Sequence, residues 1–446
     1  MKKLLALLLA LVMVFALAAC GEEPSTESTD PGTTESADPG TTEKVTIRFW
    51  QAGGDTAGAT EIMTELLNKF MEENEDIIVE YQAYPWANDP HTVFQTAIAG
   101  GDVADLLVVG SPLDQQLANN GQVIALTDMI DQATLDDLMD VFANECIYVG
   151  TNEDMQDEYI SMPLYGDART LLYNKAIFDE KNLPYPDESL THEEFIQLAR
   201  DLTGELNGKM VYGFGTSARY ASQYMNFVWN YGGDILNADY TAPGTDTDAW
   251  KNGIQDYLTF FEEGLTPPGS EAMGLEDMLT MFQNGEVAMM VATSDYCKLL
   301  QTCEPTDGYD PANLGVGIMP HEDYQTAYGG ADVLVIPTVA EHPEEAARLI
   351  NFLLRADNQL EYAKTVGFFP AVKTAAEDEY YTADPSRIAF LDAVNNSRFY
   401  VKTSYSSGVT EILRATIQDL ITGNTTFDEY INSVTTQLQT LIDENS

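Results

Sequence analysis

The chain has 446 residues, of which 72 are acidic and 21 basic, giving a formal net charge of −51. That balance excludes nucleic-acid binding, which needs clustered Lys and Arg to displace counterions, and it sets the body against an anionic membrane surface. With 44% hydrophobic residues the chain can fill two packed domains.

Lys2 and Lys3 precede an unbroken apolar run from Leu4 to Ala16, which Leu17-Ala18-Ala19-Cys20 closes. A run this short reads as an export signal over residues 1–19, not as a membrane span. Its Leu-Ala-Ala-Cys end resembles the lipobox of bacterial lipoproteins. That resemblance makes Cys20 the lipidated first residue of the mature chain; a plain secretory signal cut near Ala19 is the alternative. No second long apolar run follows, so the lipid is the one membrane contact expected. Residues 20–43 read as a disordered acidic tether, in which Asp30-Pro31-Gly32-Thr33-Thr34-Glu35 recurs at Asp38 to Glu43. Cys146, Cys297 and Cys303 remain; Cys297 and Cys303 are near enough to bridge, and spacing does not decide it. The four histidines are scattered and no His-Glu-x-x-His occurs, so no metal site or cofactor is expected.

The folded body starts at Lys44. Val45 to Trp50 alternates as a strand, Ile62 to Glu72 carries apolar residues at helical spacing, and Ile77 to Tyr81 is a second strand. A helix over Val93 to Ala99 and a nearly all-apolar strand over Asp105 to Val109 complete an α/β layout of the doubly covered, parallel kind. Ligands in such sheets sit beyond the carboxyl ends of the strands. Trp50 and Gln51 lie at one such end, and Gly110-Ser111 at another.

Ile160 to Lys175 reads as strand, break, strand, punctuated by Pro163 and Gly166. The break gathers a flat ring (Tyr165), a carboxylate (Asp167) and a guanidinium (Arg169). Such a set suits a polyhydroxylated ligand, with a ring face for stacking, an acceptor and a fork of donors. It equally describes a hairpin with a surface Asp167–Arg169 pair.

Further on, Thr191 and Glu194 stand at capping-box spacing before a helix. Met225 to Tyr231 is aromatic-rich and ends at Gly232-Gly233. Glu276 to Asn284 reads as a helix, Val287 to Ala292 as a strand, and Gly315 to Pro320 and Val333 to Pro337 as further strands.

Five motifs in this order resemble the family 1 extracellular solute-binding proteins of bacterial ABC importers, the maltose-binding-protein-like group. They are Pro163-Leu164-Tyr165 with Leu172-Tyr173-Asn174-Lys175, Trp229 with Gly232-Gly233, Phe282 to Met289, Gly329-Gly330 before an apolar strand, and Gly367 to Lys373. The resemblance implies a two-lobe, type II periplasmic-binding-protein-like fold, each lobe a mixed sheet flanked by helices, with the ligand cleft between them. By pattern one lobe takes residues 44–110 plus 337–374 and the other 111–336 plus 375–446. It also implies a monomer that closes on a carbohydrate, without catalysis, and docks on an ABC permease. No Gly-x-x-x-x-Gly-Lys-[Ser/Thr] is present, so the ATPase is a separate protein.

The resemblance places a ligand-contacting aromatic at Tyr165, with Asp167 and Arg169 like the Asp-Thr-Arg variant of that motif. Trp50 and Gln51 offer a stacking ring and a polar neighbour, or a core Trp. Trp229 is chosen over Tyr231, since residues two apart on a helix face different ways. Where the family often has Gly-x-Trp, this chain has Thr293-Ser294-Asp295, which suggests a hydroxyl-binding Asp295 in place of the ring. Gly329 and Gly330 would let backbone approach a ligand, or simply turn. Phe368 and Phe369 line the cleft or pack the crossing segment, and packing is the reading taken; Arg398 and Tyr405 are further candidates. Other readings are a receptor for an acidic or phosphorylated solute held by Arg169, a secreted carbohydrate-active enzyme, and a glycan-binding adhesin. No Gly-x-Ser-x-Gly occurs, and among 72 acids no chosen carboxylate pair argues for a glycosidase.

Overall fold

The computed structural model describes residues 44–445, Thr151 and the side chain of Ala87 apart; the signal segment, Cys20 and the tether lie outside the described residues. Strand β1 (Val45–Ala52) buries Ile47 and Phe49 completely and turns Thr46 to solvent, as its alternation demands. β2 (Ile77–Tyr84) lies parallel to β1 from Val45↔Ile77 to Ala52↔Tyr84, and β3 (Leu106–Gly110) flanks β1 on its other side. The crossovers are the helices Ala59–Glu73 and Pro90–Gly100. The first of these buries Ile62, Met63, Leu66, Leu67 and Phe70, the apolar spacing expected of it.

β4 (Met162–Ala168) and β5 (Thr170–Asn174) are wholly buried strands separated by Arg169 alone. The break therefore falls at Arg169 and not at Pro163 or Gly166. Pro163 stands inside β4 opposite Val333, next to a register shift between Asp332 and Val333, the kind of irregularity at which strands tolerate proline. Gly166 is inside β4 because the Phe142 ring covers it: a Cβ there would stand 2.1 Å from Phe142 Cε1.

β6 (Gly204–Leu206), β7 (Lys209–Gly215), β8 (Val287–Ala292) and β9 (Leu314–Gly317) join β5 in a second sheet of order β6-β7-β8-β5-β9. β10 (Ala327–Val335) and β11 (Ser397–Arg398) return to the first sheet, where β10 pairs antiparallel with both β3 and β4. Strands β4, β10 and β11 thus belong to the first sheet, β10 beside β3 and the other two beside β10, although their segments fall within 111–336 and 375–446. The chain passes from one sheet to the other at Arg169 and back between Gly317 and Ala327.

Each sheet has its own core. Helices Pro343–Leu353 and Ala356–Val366 bury Leu349, Leu353 and Tyr362 against the first sheet. Phe195, Phe214, Trp250 and Phe260 pack with the long C-terminal helices Ser406–Ile421 and Phe427–Glu444 on the second. Burying one such ring contributes roughly 2–3 kcal/mol. A third cluster, with Val109, Phe142, Leu172, Met290 and Phe390, joins the two. The capping box forms as spaced: Thr191 Oγ1 accepts from the Glu194 N–H, and Glu194 accepts from the Thr191 N–H. Cys146, Cys297 and Cys303 are all free thiols.

Candidate functional site

Because one residue separates β4 from β5, Asp167 and Arg169 are brought to the crossing itself. The Arg169 N–H donates to the Tyr328 carbonyl at 2.9 Å, which ties the crossing to β10. Antiparallel pairing then sets Gly330 opposite Asp167 and Asp332 opposite Tyr165. Arg169 Nη1 donates to Asp167 Oδ1 at 2.7 Å, and the Tyr165 hydroxyl donates to the Asp332 carboxylate. A Cβ on Gly330 would stand 3.0 Å from Arg169 Nη1 and 3.3 Å from Asp167 Oδ1, so the bare backbone leaves that ion pair its room.

These groups line a cavity of about 340 Å³. Six of the residues expected at a ligand site meet in it: Tyr165, Asp167, Arg169, Asp295, Gly329 and Gly330. Asp295 comes from the second sheet's side, at the start of helix Ser294–Thr302, where it accepts from the Thr293 hydroxyl. The other three lie elsewhere. Gln51 is fully buried; its Nε2 donates to Tyr362 Oη and its Oε1 accepts from Tyr81 Oη, both at 2.8 Å. With both ends of the amide engaged, it braces the first core. Trp50 is half-buried against Tyr84 and Phe94, at 5.6 and 5.8 Å between ring centroids. Trp229 is 1% exposed; its Nε1 donates to Asp234 Oδ1 and its ring stacks on Tyr328, itself a wall of the cavity. It stands behind the wall.

Tyr165 is in the cavity but offers little ring to it. Phe368 lies parallel at 4.6 Å and Tyr362 stacks at 5.6 Å, so the phenol contributes mainly its hydroxyl bond. Phe368 is the half-buried face of that stack, whereas Phe369 is buried in the core. Trp86, 40% exposed, is a ring that sequence reasoning missed. It follows the end of β2, so the rule of strand ends that singled out Trp50 pointed equally to it. His91 holds it edge to face at 5.3 Å, and burial pushes that imidazole down to about 4. Neutral, it accepts from the Gly110 N–H through Nε2 at 3.0 Å. Tyr328, Asp332, Phe399 and Tyr400 also line the cavity without having been singled out.

The electrostatics are those of buried carboxylates around one guanidinium. Burial pushes Asp332 up to about 7 and the Asp167 charge adds to it, while the Tyr165 hydroxyl and Arg169 pull the other way. Asp167 is pushed up to about 6 by burial, against the pull of Arg169. Asp295 is likewise raised by burial and held back by the Thr293 hydroxyl. Near neutral pH the cavity therefore presents acceptors, donors and one carboxyl that is either, the mixture that hydroxyl groups require.

Two helix-flanked sheets joined at crossings, with a polar cavity lined from both, define a two-lobed binding protein. The chain belongs to the bacterial extracellular solute-binding protein family, whose model matches residues 53–360. Proteins of this class bind solutes and are not enzymes. A binding protein of Brucella abortus (strain 2308) is 24% identical over 341 residues, 75% of this chain and 78% of that one. The sn-glycerol-3-phosphate-binding periplasmic protein of Salmonella typhimurium is 27% identical over 243 residues, 51% of this chain and 53% of that one. Among solved structures, the GacH receptor of Streptomyces glaucescens matches with a TM-score of 0.77 at 18% identity, covering 90% of this chain and 100% of that one. The maltose-bound MalE3 of T. maritima matches with a TM-score of 0.76 at 22% identity, covering 89% and 100%. These likenesses establish the type II periplasmic-binding-protein fold, a mixed sheet flanked by helices in each lobe. Among the described residues no helix is long and apolar enough to cross a membrane.

Proposed function

We propose that the protein is the receptor of an ABC importer that captures a mono- or oligosaccharide, closes its lobes on it and hands it to a membrane permease. The observation that carries this reading is a cavity in which half-buried or exposed rings (Trp86, Phe368, Phe399, Tyr296) alternate with three aspartates and Arg169. Sugar C–H faces stack on such rings while hydroxyls bond the charged groups. Asp167, Asp295 and Asp332 accept from hydroxyls, Arg169 donates, and Gly329 and Gly330 let the ring come close. Gln51 and Trp229 hold the walls from behind. Closure bends the chain at its crossings, Arg169 among them. Lipidation at Cys20 would keep the body at the extracytoplasmic face of the membrane as a monomer; Cys20→Ala should then move it from the membrane fraction to the medium. The sugar-bound structural neighbours, whose partners include maltose and acarbose, support the ligand class.

A phosphorylated polyol is the second reading, because half of the chain resembles sn-glycerol-3-phosphate-binding proteins. Within the ring-lined cavity alone, a phosphate ester would meet one guanidinium already bonded to Asp167, with two more aspartates on the walls. A thermal-shift panel of sugars and sn-glycerol 3-phosphate tests both. A ligand at about 100 times its Kd adds about 2.7 kcal/mol by mass action. A melting shift with sn-glycerol 3-phosphate and with no sugar would overturn the first reading.

A further inference from the structure

Of the chain's nine arginines, eight pair with an aspartate or glutamate within 4.0 Å. With 72 acids to 21 bases, that outcome is expected. The ninth, Arg219, has no ion pair among the described residues. It is exposed in the link after β7, with its guanidinium 5.5 Å over the Tyr220 ring. It also lines a cavity of about 250 Å³ together with Arg169 and Arg414, and no aspartate or glutamate is on that lining. A third of the arginines of a strongly acidic protein therefore face one small space.

That space adjoins the candidate site. Ser111, Arg169, Tyr328 and Tyr400 belong to the walls of both cavities. Arg169 Nη1 is given to Asp167 on the ring-lined side, while its Nε is buried without a hydrogen-bond partner. The ring-lined cavity carries three aspartates, and the adjoining one a set of guanidinium forks.

We propose that this cationic annex holds an anionic substituent of the captured sugar, a uronate carboxylate or a phosphate or sulfate ester. The inference rests on the sugar-receptor reading and deepens it. Guanidinium forks match the planar or tripodal oxygens of such groups, and two or three of them around one space supply charge-assisted bonds. The aspartates of the ring-lined cavity repel an anion, so an acidic sugar enters one way round. Lobe closure removes water and strengthens both effects. Arg414 already answers to Glu411 on its own helix, which leaves Arg219 as the guanidinium without an acidic partner among the described residues.

The test uses the full chain and a panel of soluble sugars in matched pairs, galactobiose with digalacturonate and trehalose with trehalose 6-phosphate among them, screened by thermal shift and titrated by calorimetry. The acidic member should bind about tenfold tighter than its neutral parent, the worth of one charge-assisted hydrogen bond. Whether uronate or phosphate wins identifies the group. In Arg219→Gln the acid-over-neutral ratio should fall toward one, and in Arg219→Lys only part of the way. Neutral members binding as tightly as acidic ones, or an unchanged ratio in Arg219→Gln, would overturn this inference and leave the sugar receptor standing. No shift from any sugar, acidic or neutral, would overturn both.

Discussion

The Tyr165–Asp332 pair invites the cleanest perturbation. Tyr165→Phe keeps the ring between Phe368 and Tyr362 and removes only the hydroxyl that donates to Asp332. No cavity opens, so the loss is that of a hydrogen bond to a buried carboxyl. The carboxyl is pushed up to about 7 by burial, and the Tyr165 hydroxyl is the largest influence holding it down. At about pH 8.5 the acceptor is a carboxylate and the bond is charge-assisted, so its loss costs roughly 1.5–3 kcal/mol. At about pH 5.5 the carboxyl is protonated and the loss shrinks to roughly 0.5–1.5 kcal/mol. Urea denaturation of wild type and variant at both pH values reads the two numbers from the shift in midpoint at constant slope. A loss that is the same at both pH values, or absent at the higher one, would refute the reasoning.

Other outcomes follow from the same geometry. Trp86→Ala removes an exposed ring from the cavity, and should weaken sugar binding about tenfold or more with the melting temperature nearly unchanged. Trp229→Ala empties a fully packed site behind Tyr328 and should instead cost about 3–5 kcal/mol of stability, read by denaturation. Gly330→Ala sets a methyl 3.0 Å from Arg169 Nη1, and calorimetry should show weaker sugar binding at nearly unchanged stability. The unliganded protein should also lose stability as pH rises from about 4 to about 7. Asp332 and Glu145 are pushed up to about 7 and Asp167 to about 6, so the folded state holds protons that the unfolded chain has already released. The slope is complete above the highest of these values, and Asp332→Asn should flatten it; an unaltered slope would count against the assignment.

Much of this was open to reading because it is local. β3 is an apolar run, Thr191 and Glu194 cap one helix, and Asp167 and Arg169 share a cavity because they are two residues apart across a crossing. Asp295 stood out as a carboxylate where the family often has a ring. What escaped depends on distant partners. Tyr165 and Asp332 are 167 residues apart, and only antiparallel pairing of β4 with β10 sets them opposite each other. Whether Gln51 or Trp229 faces inward is decided by Tyr81, Tyr362 and Tyr328, and nothing in their own neighbourhoods announces it. Trp86 and Arg219 arrive from two separate links, on opposite sides of the crossing. Pro163 and Gly166, ordinary punctuation in isolation, are absorbed by a register slip and by the space over Phe142.

The single-residue passage between the sheets has one more implication. Arg169 is the elbow of the polypeptide and a wall of the pocket at the same time, so grip and flexure share a part. In the receptor proposed above, an exchange there would alter how the lobes close together with what they hold. A designer wishing to retarget this receptor while keeping its open–shut balance would leave the elbow alone and recut Trp86 and Arg219, which touch the cargo space from outside the bend.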